Sequence, residues 1–154
     1  MQYHIRPAAV EEGQAMVALL PRLAAFDIPD HREPRHLWEG DQALLERWLA
    51  GDAKNCQVHV AVDDAEQVIG LTLVSLGPEL LSREPSAHLE AIVVSEASQG
   101  QGVGAALLSN AEVAAKGAGA ATLTLNVFAD NQRARALYER MGYVGELIRH
   151  IKSL

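Results

Sequence analysis

His88-Leu89-Glu90-Ala91-Ile92-Val93-Val94, followed after four residues by Gln99-Gly100-Gln101-Gly102-Val103-Gly104-Ala105-Ala106-Leu107-Leu108, is the stretch on which the fold turns. The first segment is a short apolar run ending in β-branched residues, which favours a strand buried on both faces. The second is rich in Ala and Leu, good helix formers, and opens with three glycines at alternate positions. The order is therefore strand, glycine loop, helix. Glycines at such a junction let the backbone come close to a ligand and take positive φ. The first turn of the helix leaves N–H groups without internal partners, and with the helix dipole they form an anion site suited to phosphate or pyrophosphate.

Three phosphate loops are compatible with glycines here, and the neighbouring residues separate them. A Walker A loop ends in Gly-Lys-Ser/Thr, whereas Gly104 is followed by Ala105-Ala106. A dinucleotide fingerprint is matched loosely by Gly100-x-Gly102-x-x-Ala105, but it opens a larger βαβαβ unit than the remaining chain can build. The third pattern is Gln99-x-x-Gly102-x-Gly104 directly after the Val-Val strand, followed downstream by Asn131-x-x-Ala134-x-x-Leu137-Tyr138-x-x-x-Gly142-Tyr143. With these two ordered elements the chain resembles the GCN5-related N-acetyltransferases (GNAT), a resemblance spanning residues 88 to 143.

Composition fits that class. The chain has 154 residues, 49% of them hydrophobic and 21% charged, as expected for one α+β domain over 1–154 with a core of its own. Net charge is −7, so no basic stripe offers itself to nucleic acid. The single cysteine, Cys56, excludes an internal disulfide and reads as a small apolar residue opening a strand. No apolar run reaches the roughly 20 residues of a membrane span, and the N-terminus lacks the plan of a signal peptide, so a cytoplasmic location is expected. The six histidines are scattered without metal-ligand spacing, and no nucleophile elbow is present.

Around the central stretch, residues 2–6 read as a strand and 8–23 as an amphipathic helix. Residues 24–40 carry two prolines, charges of both signs and no periodicity. A helix over Asp41–Ala50 with an acidic cap follows, then a hairpin of 57–62 and 68–76. After a loop at 77–86 come the central strand, the helix to about Lys116, a strand over 121–128, a helix from Asp130 or Asn131 to Met141, and a closing strand over 143–151. This is the α+β pattern of a central mixed, mostly antiparallel sheet flanked by helices.

The resemblance to the GNAT family implies acetyl-CoA as co-substrate, no metal, and direct transfer of acetyl to a primary amine in a ternary complex. The alternatives are a protein N-terminal or lysine acetyltransferase and a non-catalytic acyl-CoA-binding sensor. It further implies that the backbone of Ile92, Val93 and Val94 holds the pantetheine arm. Gln99, Gly100, Gln101, Gly102, Val103, Gly104 and Ala105 would bind the pyrophosphate. Asn131 would hydrogen-bond the cofactor arm, and Tyr138 would protonate the departing thiolate. Glu90 is the candidate general base, with His88 or a water as alternatives; strand alternation places His88, Glu90, Ile92 and Val94 on one face. Phe26, His31, His36 and Trp38 are candidate acceptor contacts, and 77–86 a second candidate border of that site. Pairing of two copies through 143–151 is the expected route to a homodimer.

Overall fold

The computed structural model describes all 154 residues. Its centre is a five-stranded sheet in sequential order, β1 Tyr3–Pro7, β2 Cys56–Asp63, β3 Val68–Pro78, β4 Pro85–Val94 and β5 Leu123–Leu125. The first four strands are antiparallel neighbours, and β5 lies parallel to β4. A parallel neighbour needs a crossover, and the helix α3, Val103–Gly117, supplies it. Helices α1, Gly13–Leu19, and α2, Glu39–Leu49, cover one face; α3 and α4, Gln132–Arg140, lie on the other.

The expected helix over 8–23 is broken into a 3-10 turn at Val10–Glu12, α1, and a second 3-10 turn at Leu20–Ala24. Pro21 has no N–H to donate back to Val17, and α-helical bonding stops just before it. Helix α2 begins at Glu39, two residues before the expected start, and its cap position is Trp38, which makes no side-chain cap bond. Asp41 thus sits inside the first turn instead of capping it.

Two layers of core result. On the α1–α2 face Met16, Leu20 and Leu45 pack on Val58, Val60, Val62, Leu71, Leu73, Ala91 and Val93. On the α3–α4 face Leu108, Ala111, Ala115 and Tyr138 pack on Val74, Ala87 and Leu89, with Val103 and Leu107 over Ala61 and Ile69 beside them. Cys56 is buried as a free thiol at the start of β2, and burial pushes it up to about 11.

Strand β4 appears in both layers, and its register explains why. Leu73 faces Ala91 and Val74 faces Leu89, so Glu90 has no partner on β3 and forms a β-bulge. Before it Ala87 and Leu89 point to α3 and α4; after it Ala91 and Val93 point to α1 and α2. Plain alternation is therefore corrected: Ile92 and Val94 turn towards α3 with Leu107, while His88 and Glu90 do not share their face. His88 instead meets β5, its Nδ1 2.7 Å from Thr124 Oγ1.

Two further expectations fail in the C-terminal third. Strand β5 is three residues long, where eight were expected, because its pairing with β4 ends at Leu89↔Leu125. No strand forms over 143–151; Val144, Leu147 and Ile148 remain exposed. A strand needs a neighbouring edge as well as propensity, and β5 offers only a short one.

Candidate active site

The divergence of β5 from β4 leaves the edge of β4 unpaired from Glu90 to Val94 on that side. A cavity of about 640 Å³ opens there. One wall is Leu89–Val94, the floor is the glycine loop and the first turn of α3, and the opposite wall is α4 with Asn126–Phe128. Arg22, Phe26, Leu37 and Asp41 form part of the remaining rim.

The glycine loop takes the conformation its residues permit. Gly100 has φ +76° and Gly102 φ +82°, in the left-handed region that L side chains avoid. Gly102 is the cap residue of α3 and has no side chain to satisfy the first-turn N–H groups, which stay available to an anion. Gly104 differs: a Cβ there would stand 3.6 Å from Leu137 Cδ2 and 3.8 Å from Val94 Cγ2, ordinary contact distances. Neither its backbone conformation nor the space around it demands glycine against an alanine.

Helix α4 brings the downstream pair into the same cavity. Asn131 caps it, its Oδ1 accepting from Ala134 N at 3.2 Å. Tyr138, two turns on, is buried, with its ring edge-on to Tyr143 at a centroid distance of 6.0 Å. Burial raises its phenol above the ordinary value and keeps the hydroxyl protonated at neutral pH. Arg133 reaches across the loop to donate to Gln99 Oε1 at 3.0 Å, and Arg22 donates through Nε to Val94 O at 3.0 Å.

Glu90, Ile92, Val93, Val94, Gln99, Gly100, Gly102, Val103, Gly104, Ala105, Asn131 and Tyr138 all line this cavity. Gln101 does not; it is exposed and donates to Ala97 O. Of the acceptor candidates in 24–40, Phe26 lines the cavity and meets Phe128 at a centroid distance of 5.5 Å with the rings tilted by 44°. His31 and His36 are exposed away from it, His36 accepting from Glu33 N through Nδ1, and Trp38 packs on the α1–α2 core. The turn at 79–84 also lies elsewhere: Glu79, Leu80 and Leu81 line a larger cavity of about 1020 Å³ with β5 and residues 141–147. That cavity contains no part of the glycine loop, and His88 belongs to it.

Among the cavity residues not singled out from sequence are Arg22, Asp41, Phe128 and Arg140. Asp41 carried a signal, an acidic residue beside an aperiodic segment, but it reads equally as a helix cap.

A family model described as the acetyltransferase (GNAT) family matches residues 20–143, which includes the bulged strand, the glycine loop and α4. The chain belongs to this family. Its GNAT relatives include a mycothiol acetyltransferase of Jonesia denitrificans, 36% identical over 123 residues. That match takes in 79% of this chain and 37% of the relative, so the chain spans well under half of that protein. A peptidyl-lysine N-acetyltransferase of Salmonella typhimurium is 27% identical over 145 residues, 93% of this chain and 84% of the relative. Among solved structures, a putative acetyl transferase from Pyrococcus furiosus superposes with a TM-score of 0.79 at 22% identity, covering 99% of this chain and all of that one. An aminoglycoside 6'-N-acetyltransferase from Acinetobacter baumannii gives 0.70 at 24% identity over 99% of both chains. These two share the GNAT fold, and the mixed α+β sheet flanked by helices is that fold. No three His, Cys, Asp or Glu side chains are grouped to hold a metal, and no helix is long and apolar enough to cross a membrane.

Proposed function

We propose that the protein transfers the acetyl group of acetyl-CoA to a primary amine by direct attack in a ternary complex, with a small molecule as acceptor. One observation carries this reading: the unpaired edge of β4 from Glu90 to Val94 opens into the same cavity as the glycine loop, Asn131 and Tyr138. An extended thioester arm fits beside that edge as an added strand, with its pyrophosphate on the N–H groups of α3. Ile92 to Val94 need supply only backbone groups and an apolar wall. Tyr138, held protonated by burial, gives its proton to the departing thiolate. Glu90, turned out of the ladder by the bulge, faces the acceptor side and draws off the amine proton.

A second reading, a lysine acetyltransferase acting on proteins, is favoured by the coverage of the Salmonella peptidyl-lysine enzyme, 84% of its length. Both readings use the same cofactor site and differ in the acceptor. Calorimetry of acetyl-CoA against NAD and ATP tests the site; binding of acetyl-CoA alone is expected, and binding of NAD or of nothing overturns it. A free-thiol assay then separates the acceptors. Its panel contains glucosamine 6-phosphate, an aminoglycoside, a lysine peptide and a peptide with an N-terminal alanine. Turnover confined to the small amines supports the first reading, and turnover confined to the peptides overturns it.

A further inference from the structure

Arg22 comes from the 3-10 turn Leu20–Ala24 and meets the unpaired edge of β4 at its C-terminal end, where its Nε donates to Val94 O at 3.0 Å. Pairing with β3 fixes which way that carbonyl points. Ser95 N donates to Ile69 O at 2.8 Å, so Ser95 bonds towards β3. Bonded and non-bonded pairs alternate along an antiparallel ladder, and the preceding pair, Gly70↔Val94, is a non-bonded one. The N–H and C=O of Val94 therefore face away from β3, as do those of Ile92, opposite Thr72. These groups form the edge along which the proposed thioester arm lies, and Arg22 occupies its last acceptor. An arm paired with Ile92 and with Val94 N–H leaves the strand there, where the chain turns through Glu96–Ser98 towards the glycine loop.

The rest of the guanidinium is uncommitted. Nη1 stands 3.9 Å from Glu96 Oε2, beyond hydrogen-bond reach and on a side chain that is 87% exposed, and Nη2 has no acceptor in the protein. Asp41 and Glu90 line the same cavity and form no ion pair with Arg22. Anchored through Nε, the planar group presents its Nη N–H bonds as a fixed fork, which matches phosphate oxygens. Net charge is −7, so the protein repels an anion at a distance and cations at the site must offset this.

We propose that Arg22 is a phosphate-binding residue of the cofactor site: Nε anchors it to Val94 O, and its Nη groups leave Glu96 to donate to the diphosphate where the arm ends. This rests on the acetyl-transfer reading and adds to it a residue that no motif marks, 72 positions before the strand it bonds. The diphosphate has oxygens enough for the α3 N–H groups and for Arg22 together. No covalent bond changes; one ion pair is exchanged for another. The exposed pair with Glu96 contributes little, and a charge-assisted bond to phosphate is the stronger of the two. Because Arg22 also takes Val94 O, an arm lying on this edge has one place at which to end.

Calorimetric titration of the full chain with acetyl-CoA, at low and at high salt, is the test. It needs no acceptor. Arg22→Met should weaken binding about tenfold or more at low salt, the size expected for a lost hydrogen bond to a charged group. The deficit should shrink at high salt, where screening weakens the contact in the unaltered protein, and Arg22→Lys should recover part of it. A side chain that merely held β4 in place would cost the same affinity at both salt levels, with no recovery from Lys. That result, or unchanged affinity in Arg22→Met, overturns the proposal. Glu96→Gln supplies a second variant, at an exposed position outside the core. By removing the competing carboxylate it should tighten binding about twofold at low salt, and the gain should disappear in the Arg22→Met background. No gain, or an equal gain in both backgrounds, overturns the exchange of partners. Failure of the unaltered protein to bind acetyl-CoA overturns instead the transfer reading beneath it.

Discussion

Tyr138 and Gly102 show two ways in which a single residue serves the cavity. Tyr138 packs in the α3–α4 core and also lines the cavity. Tyr138→Phe keeps the ring, so packing and acetyl-CoA affinity should hold while kcat falls about 10²-fold; steady-state kinetics beside calorimetry check this, and an unaltered kcat removes it as the acid. Gly102 contributes a backbone shape instead. At φ +82° a β-branched side chain is strained, so Gly102→Val should weaken acetyl-CoA binding at least tenfold in a titration. Gly104→Ala should bind nearly as tightly, since its Cβ meets only ordinary contacts. Similar affinity of the two variants would refute the role given to the loop. The difference between these glycines was not legible in the sequence, where both fill the same pattern. Conformation separates them, and φ depends on how the loop enters α3.

At the level of elements, the strand–loop–helix unit could be read locally because its signals are local: β-branched residues, alternating glycines and Ala/Leu helix formers. What escaped depends on partners. The bulge at Glu90 exists only relative to the register of β3, and a one-residue insertion reverses every side chain beyond it. Alternation along β4 alone therefore placed Glu90 with Ile92 and Val94, and the real arrangement divides them. Asp41 escaped for a related reason, since α2 starts at Glu39 on a residue, Trp38, that makes no side-chain cap. The docking of α3 can be tested at Gly70 on β3. A Cβ there would stand 2.8 Å from Val93 O and 2.9 Å from Leu107 Cδ1, so Gly70→Ala must move either β4 or α3. A loss of about 1–3 kcal/mol in denaturant unfolding is expected, with weakened acetyl-CoA binding. An unaltered midpoint would show that the sheet and α3 yield there at no cost.

Across the whole molecule, the site and the fold pull the pH dependence of stability in opposite directions. Glu12, bonded by both oxygens to Arg6 at 2.9 and 2.8 Å, has its carboxyl lowered chiefly by that guanidinium. Its contribution is present above the unfolded value of 4.5 and is lost as pH falls through the folded one. His59, lowered by burial, likewise withdraws stability as pH falls below about 6.5. Asp41 has the opposite sign: raised from 3.8 to about 7, it makes the native state bind more protons than the unfolded chain, so stability drops as pH rises across that window. The gain in Tm from Asp41→Asn should accordingly be larger at pH 8 than at pH 5, by calorimetric scans of both proteins. Equal gains at the two values would place Asp41 in water.

The buried thiol of Cys56 has a practical consequence for the assay chemistry. Chromogenic disulfide reagents react with thiolates, and a sulfur enclosed at the start of β2 and held protonated to about pH 11 offers them almost none at neutral pH. Since the chain has no other cysteine, colour developing in a native reaction would report the coenzyme A that the proposed transfer releases. The same chemistry turns a denatured fraction into a visible signal. A rise in protein-bound label without acetyl-CoA counts the molecules whose β2 has opened.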